Sequence, residues 1–204
     1  MRWTTAGCAP AAGDLLVAPP TTAPPATAAP SAGSPSAAGA PTAGPVHEDG
    51  HPAVAATGRA LADLGASGRV VHLPAAARGP AAVARHLGVP VAAVARSALL
   101  RGPGDQLVLV IASGAHELFP PLLAAVLGVP SLEAVTEAET LRRTGSPPGS
   151  TSPVGLAEPL PTCVDVTLAV HPVVWVPAGH PRAVFPTRYD ELLRLAAAHP
   201  VELG

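Results

Sequence analysis

The sequence contains no lysine and very few aromatic residues. All 12 of its basic residues are arginine, against 14 acidic residues, which gives a formal net charge of −2 without any block of like charge. Two Trp, two Phe and one Tyr leave few platforms on which nucleic-acid bases could stack. A broad basic face that holds nucleic acid is therefore excluded, and no DNA partner is expected. A small contact with one end of an RNA remains open.

Cysteine and long apolar runs are also scarce. The two cysteines are Cys8, in the first fifty residues, and Cys163, far along the chain, so we expect no structural disulfide and a reducing compartment. No window approaches the run of about 18 apolar residues that spans a bilayer. The apolar run of a signal peptide is missing before Cys8. The expected location is the cytoplasm, without membrane contact.

Large aliphatic residues are sparse in residues 1–50, which hold nine prolines and a surplus of Ala, Thr, Ser and Gly. Such a segment cannot bury enough apolar surface to offset its conformational entropy. We therefore predict a disordered tail over residues 1–50. Residues 52–204 have a usual length for one domain and can bury a sizeable core.

The periodicity of this domain predicts helices mixed with short strands. A helical pattern at 81–87 ends at Gly88 and Pro90, and the aliphatic run 94–100 predicts a buried strand. A Gly-Pro-Gly-Asp turn joins that strand to a second one at 106–112, which predicts an antiparallel hairpin. Further elements are predicted at 52–64, 69–73, 117–127, 131–135, 137–143, 163–169, 173–176, 188–198 and 201–203. The predicted fold class is mixed α/β.

Arg96 is the lone charge inside the strand predicted at 94–100. A guanidinium stays ionised in a protein, so its burial without a partner would cost on the order of several kcal/mol. Either the side chain reaches solvent at the end of the strand, or it points into a polar cleft where an anion or a carbonyl group meets it. The spacing of the residues leaves both possibilities open.

A loop rich in Gly, Pro and hydroxyl side chains occupies residues 145–155. Such a loop leaves backbone N–H groups without ladder partners and lets a ligand approach the backbone closely, although an ordinary surface linker has the same composition. The chain has no Gly-x-Ser-x-Gly elbow, no phosphate-binding loop and no metal-ligand spacing of His or Cys, so no metal and no cofactor are expected. A cation facing a donor-rich loop suits the orientation of a carbonyl or ester group.

Six segments stand in a distinctive order: VARHLGVPVAAVARSALLR, LVLVIASGAHEL, LRRTGSPPGSTSPVGL, PLPTCVDVTL, VVWVPAG and YDELLRL. Together they resemble the YbaK/prolyl-tRNA-synthetase-associated domain family of aminoacyl-tRNA deacylases, over about residues 54–203. The resemblance implies a mixed β-sheet core surrounded by helices, with the site in a cleft. It also implies trans-editing, the hydrolysis of the ester bond of mischarged tRNA that protects translation fidelity. The implied partners are the acceptor end of aminoacyl-tRNA and an aminoacyl-tRNA synthetase.

The same resemblance implies site residues. The strand lysine of the family falls on Arg96, which is thereby the implied catalytic cation. The family's Gly-x-x-x-Pro loop, whose backbone amides would hold the aminoacyl end, falls on residues 149–153, and a second segment lines the opposite wall of the pocket. The implied substrate-binding residues are Gly149, Ser150, Thr151, Ser152, Pro153, Gly179 and His180.

Two departures from the family pattern keep other hypotheses open. Arg96-Ser97 stands where the family usually has Lys-Ser, and Ser146 stands where an aromatic residue is common. The first hypothesis is a deacylase in which Arg96 positions the substrate. The alternative is a catalytically weakened paralogue that binds an aminoacyl-adenosine-like ligand or a tRNA end without turnover. A third is a structural adaptor whose proline-rich tail recruits a partner.

Overall fold

The computed structural model describes residues 50–74 and 77–203 of the 204-residue chain. The tail predicted over residues 1–50 lies outside the described residues, except for Gly50. The described part forms eight β-strands: β1 (Val71–His72), β2 (Ala95–Arg101), β3 (Leu107–Ser113), β4 (Glu133–Ala134), β5 (Thr162–Asp165), β6 (Val174–His180), β7 (Ala183–Thr187) and β8 (His199–Val201). It also forms five α-helices: α1 (Pro52–Asp63), α2 (Gly79–Leu87), α3 (Pro120–Val126), α4 (Glu137–Thr144) and α5 (Tyr189–Leu195). The prediction of a mixed α/β fold is confirmed.

The larger sheet has five strands in the order β4-β2-β3-β5-β8. Strands β2 and β3 form the predicted antiparallel hairpin, in which Ala95 pairs with Ser113 and Arg101 pairs with Leu107. Strand β4 pairs antiparallel with the far end of β2, whereas β5 runs parallel to both β3 and β8. The strand that carries Arg96 is therefore internal to the sheet, and its first residues lie beyond the short partner β4.

The smaller sheet is antiparallel, in the order β1-β7-β6. A parallel bridge between Val94 and Trp175 connects the residue before β2 to β6. This bridge joins the start of β2 to the smaller sheet. One end of the larger sheet therefore lies against the smaller sheet.

Side-chain alternation along β3 divides the core between two faces of the larger sheet. Leu109 and Ile111 face the smaller sheet, α1 and α5, and all these elements contribute to the main buried cluster. Val108 and Val110 face the opposite side, where α3 packs through Leu123 and other aliphatic residues. A third cluster joins α2 to β7 and to Val94, the residue before β2. The five-stranded sheet is therefore covered on both faces, as its continuous aliphatic strands require.

Local signals account for most helix boundaries. The Thr136 side chain accepts the N–H of Glu139 at 3.3 Å, as the capping-box sequence predicts, and α4 ends at Gly145 with a left-handed φ of +68°. Helix α2 begins at Gly79, two residues earlier than its predicted start, because Pro80 occupies a first-turn position where a missing N–H costs little. None of the helices in the described ranges is long and apolar enough to cross a membrane.

Cys163, on β5, is fully buried. The sequence has one other cysteine, Cys8, which lies outside the described residues. The expectation of no structural disulfide between them therefore stays a prediction.

Candidate active site

A cavity of about 280 Å³ lies where the start of β2, the first turns of α2, the 145–155 loop and the end of β6 meet. Its lining is mostly apolar and contains one guanidinium, one imidazole and one hydroxyl side chain. The lining residues are Gly79, Pro80, Val83, Val94, Ala95, Arg96, Pro148, Gly149, Ser150, Pro177, His180, Pro181, Ala183 and Val184. Four of the residues implied by the sequence are thus brought to one cavity from three separate parts of the chain.

Arg96 is the second residue of β2, where it pairs with Ala112 of β3, and its side chain is partly buried. Within residues 50–74 and 77–203 the guanidinium has neither an ion-pair partner nor a side-chain hydrogen bond. Arg101, five residues further along the same strand, is by contrast held by Asp105 and Glu139. Of the two possibilities that the sequence leaves open for Arg96, the structure favours the cleft. Its donors are available to a ligand there.

The 145–155 loop is held between β2 and β6 at the edge of the cavity. Gly149, with a φ of +79°, forms an antiparallel bridge with Ser97, and the carbonyl of Ser150 accepts the N–H of Gly179 at 2.9 Å. The N–H of Ser150 donates to the carbonyl of Pro147 at 3.1 Å, which closes a turn at the cavity wall. Because both strands bind the loop, its backbone keeps a defined position relative to Arg96.

The cavity wall next to this loop contains His180, the last residue of β6. Its Nδ1 accepts the backbone N–H of Arg182 at 3.2 Å, so the proton of the neutral ring is on Nε2. Gly179 precedes it with a φ of +94°, and a Cβ at that position would lie 2.9 Å from Ala53 of α1. Glycine therefore allows the first turn of α1 to pack directly against the strand that carries His180.

The other implied residues lie behind the cavity wall. Thr151 and Ser152 are 1% and 2% exposed, and Pro153 is buried as well. The Thr151 hydroxyl lies 3.4 Å from the Thr144 hydroxyl, and the Ser152 hydroxyl accepts the N–H of Val154 at 3.3 Å. These contacts, like the N–H that Gly179 donates to Ser150, shape the loop. Direct binding of substrate by these four residues stays a prediction.

Sequence reasoning missed the apolar half of the cavity. Gly79, Pro80 and Val83 come from the start of α2, and Ala183 and Val184 come from β7. The Gly-Pro pair is a recognisable helix start, but it carries no sign that the start faces a ligand site. The lining residues include no carboxylate, and no group of three or more His, Cys, Asp or Glu in the described part of the chain is placed to hold a metal ion.

This arrangement suits a small polar group attached to an apolar one. An unpaired guanidinium can donate to a carbonyl or ester oxygen and stabilise negative charge that develops on it. The apolar wall from α2 and β7 gives a surface for a small aliphatic group. The cavity lining has no carboxylate, so its charge is positive and attracts anionic ends of a ligand.

Comparisons with known proteins show the family and the fold of this domain. The profile of the aminoacyl-tRNA editing domain matches residues 74–195, more than half of the chain. A solved structure described as a candidate trans-editing enzyme for prolyl-tRNA synthetase superimposes with a TM-score of 0.69 and 32% identity, covering 74% of this chain and 96% of that one. A hypothetical protein with 20% identity and a TM-score of 0.66, covering 72% of this chain and 98% of that chain, shares the fold.

The curated relatives are much longer proteins. Proline–tRNA ligase of Trichlorobacter lovleyi is 36% identical over 85 residues, which are 42% of this chain and 15% of that enzyme. The ligase of Ralstonia nicotianae is 34% identical over 92 residues, which are 43% of this chain and 16% of that enzyme. The chain thus spans about one sixth of the length of these relatives. It belongs to the aminoacyl-tRNA editing domain family.

Proposed function

We propose that this chain hydrolyses the ester bond between a wrongly attached amino acid and the terminal adenosine of tRNA, acting in trans. The observation that carries the proposal is the Arg96 guanidinium, which has no partner among the described residues and shares a cavity of about 280 Å³ with the backbone at Gly149 and Ser150 in a domain of the editing family. The acceptor end of the tRNA is the only part of the substrate that a cavity of this size admits.

In the proposed reaction Arg96 donates to the carbonyl oxygen of the aminoacyl ester. Water adds to the carbonyl carbon, and the negative charge that forms on the oxygen is stabilised by the guanidinium. The bond from carbon to the ribose oxygen then breaks. The ribose oxygen takes one of the two protons of the attacking water, the other is released to solvent, and the amino acid leaves as its carboxylate. The protein contributes position and charge, and the substrate's own hydroxyl groups assist the proton transfer.

The partners and location follow from this reaction. The substrate is an aminoacyl-tRNA held by its acceptor end, and an aminoacyl-tRNA synthetase that makes the erroneous product is the second proposed partner. Because tRNA is charged in the cytoplasm, we place the protein there. The net charge of −2 restricts RNA contact to the neighbourhood of the cavity, because a broad electrostatic surface is lacking.

Arg96→Ala tests the catalytic proposal. Loss of a preorganised donor to the developing oxyanion lowers kcat by about 10²–10³-fold in other enzymes, and a loss of similar size is expected here. The measurement is the release of amino acid from a panel of mischarged tRNAs. The matched control is Arg59→Ala, which removes the same charge from an exposed position on α1. Wild-type release that never exceeds the buffer rate for any tRNA would contradict the proposal.

Binding without turnover is the second candidate. It is supported by the Arg96-Ser97 pair, which departs from the family's Lys-Ser, and by the N–H of Ser150, which is already engaged by Pro147. Arg96→Lys separates the two functions, because lysine offers a compact charge without the guanidinium fork. A deacylase that uses the fork loses activity in this variant, by less than in Arg96→Ala. A binder without turnover would still bind the acceptor end and could gain hydrolysis from lysine.

A further inference from the structure

The ring of His51 packs against the ring of His180 behind the cavity wall. The two ring centroids are 5.1 Å apart and the planes are tilted by 49°. His180 lines the cavity, whereas His51 does not. His51 also precedes residues 74–195, the part of the chain that matches the editing-domain profile. It therefore lies outside the part of the chain that the profile matches.

The position of His51 is fixed by its backbone. It is the N-cap of α1, and its carbonyl accepts the N–H groups of Val54 at 3.0 Å and Ala55 at 3.1 Å. Val54 is buried in the main core, and the neighbouring Ala53 touches Gly179 through the close approach that glycine allows. The helix end that carries the His51 ring is thus attached to the strand that carries His180.

The His51 side chain has an unusual polar atom. Its Nδ1 is buried and has no hydrogen-bond partner within residues 50–74 and 77–203. A buried polar atom without a partner lowers stability, and such atoms persist where the position serves another purpose. His51 places a planar ring against the ring of His180. The Nδ1 of His180 itself accepts the N–H of Arg182.

We propose that His51 is a positioning residue, which holds the His180 ring in the orientation that shapes the substrate wall of the cavity. The role rests on the proposed deacylase function. A substrate wall discriminates between amino acids only when its side chains are held within a narrow range of orientations, and packing from behind provides that restraint. The role belongs to the shape of the ring, so phenylalanine at this position fulfils it and alanine does not.

Three variants test this role: His51→Ala, His51→Phe and the control Val54→Ala, which weakens the same helix from the core side. The readout is the ratio of kcat/KM between the best and the second-best aminoacyl-tRNA of the panel. His51→Ala is expected to lower this ratio about fivefold or more, and His51→Phe to keep it within about twofold of wild type. Val54→Ala is expected to lower Tm without changing the ratio.

A second readout does not depend on turnover. The ring ¹H–¹³C cross-peaks of His180 in histidine-labelled protein are expected to move in His51→Ala and to stay in place in Val54→Ala. An unchanged ratio in an active His51→Ala enzyme, an equal change in Val54→Ala, a ratio in His51→Phe as low as in His51→Ala, or an unmoved His180 cross-peak would each overturn the positioning role alone. A wild type that is inactive on every tRNA would overturn the proposed function with it.

Discussion

At the scale of single residues, the site depends on one cation, Arg96, which shares the cavity with the backbone of Gly149 and Ser150. Arg96 has no carboxylate partner in the described residues, whereas Arg101 on the same strand has two. Because the chain contains no lysine, arginine is the residue with which it supplies a permanent positive charge. Arginine also brings a planar fork of donors that can contact two oxygens at once. The pair of variants at position 96 therefore tests both the charge and its geometry.

Ser97, the neighbour of Arg96, provides a prediction about stability. Its side chain is 3% exposed, and its hydroxyl has no hydrogen-bond partner in the described part of the chain. Because a buried hydroxyl without a partner costs about 1–3 kcal/mol, Ser97→Ala should raise the free energy of unfolding, by about 1 kcal/mol. Urea denaturation with an unchanged m-value is the measurement.

The matched control for that prediction is Ser113→Ala on the neighbouring strand. The Ser113 hydroxyl is also buried, but it donates to the carbonyl of Ala92 at 3.1 Å and accepts the N–H of Ala115 at 3.3 Å. Its removal should lower the free energy of unfolding by about 1 kcal/mol or more. Equal destabilisation by both variants would show that the Ser97 hydroxyl is satisfied in solution.

At the scale of elements, buried carboxylates join parts of the chain that are distant in sequence. Asp165, at the end of β5, accepts the N–H of Ser113 at 3.0 Å and both the N–H and the hydroxyl of Thr167, and it lies 2.8 Å from Nδ1 of His116. The ends of the parallel strands β3 and β5 are thereby tied to the 3₁₀ turn Val166–Val170. Because these contacts satisfy a fully buried carboxylate, they are structural and lie apart from the cavity.

Glu191 does the same for α5, and its contacts give a pH dependence. Burial by itself raises the pKa of Glu191, but hydrogen bonds from the Ser67 hydroxyl and N–H and from the Thr187 hydroxyl bring the pKa below its ordinary value. The folded state therefore favours the ionised form. The stabilisation is fully present above the ordinary carboxyl pKa, about 4.3, and is lost as the pH falls through the lower folded value.

Glu191→Gln should therefore be less stable than wild type near neutral pH, and the difference should shrink as the pH falls from about 6 to about 3. The measurement is the free energy of unfolding of both proteins across that range. Glu158→Gln is the control, because the Glu158 side chain is 78% exposed and its ion pair with Arg143 is long, at 3.8 Å. A difference from wild type that does not change with pH would contradict the assignment to the Glu191 carboxylate.

At the scale of the whole molecule, all the residues that line the cavity lie between residues 79 and 184. The three hypotheses from the sequence differ in what they expect of the tail, and the tail lies outside the described residues. A deacylase or a binder of the acceptor end uses the cavity, so removal of residues 1–49 should leave kcat/KM within about twofold of wild type.

The control for tail removal is full-length Cys8→Ser, because deletion of the tail also removes Cys8, one of the two cysteines of the sequence. Both variants should release amino acid from mischarged tRNA at the wild-type rate. A truncated protein that keeps hydrolysis but loses its biological function, while Cys8→Ser keeps both, would favour the adaptor hypothesis. Loss of hydrolysis in the truncated protein alone would show that the tail contributes to the enzyme.

Prediction from sequence succeeded where the signal was local. The turn at 102–105 specified the hairpin, and Thr136 with Glu139 specified the start of α4, because turns and caps are made by residues a few positions apart. It overextended the helix predicted at 117–127, because Pro120 and Pro121 place the first helical turn later.

The amino-acid sequence by itself determined the family, the mixed α/β class and the presence of a cation on a strand ahead of a Gly- and Pro-rich loop. Only the tertiary structure decided that Arg96, Gly149, Ser150 and His180 share one cavity and that α2 and β7 supply its apolar wall. It alone also decided that a helix outside the matched region places His51 behind His180. The reason is physical: turns, caps and periodicity are set by neighbours in sequence, whereas a cavity is formed by the packing of segments that are far apart in the chain.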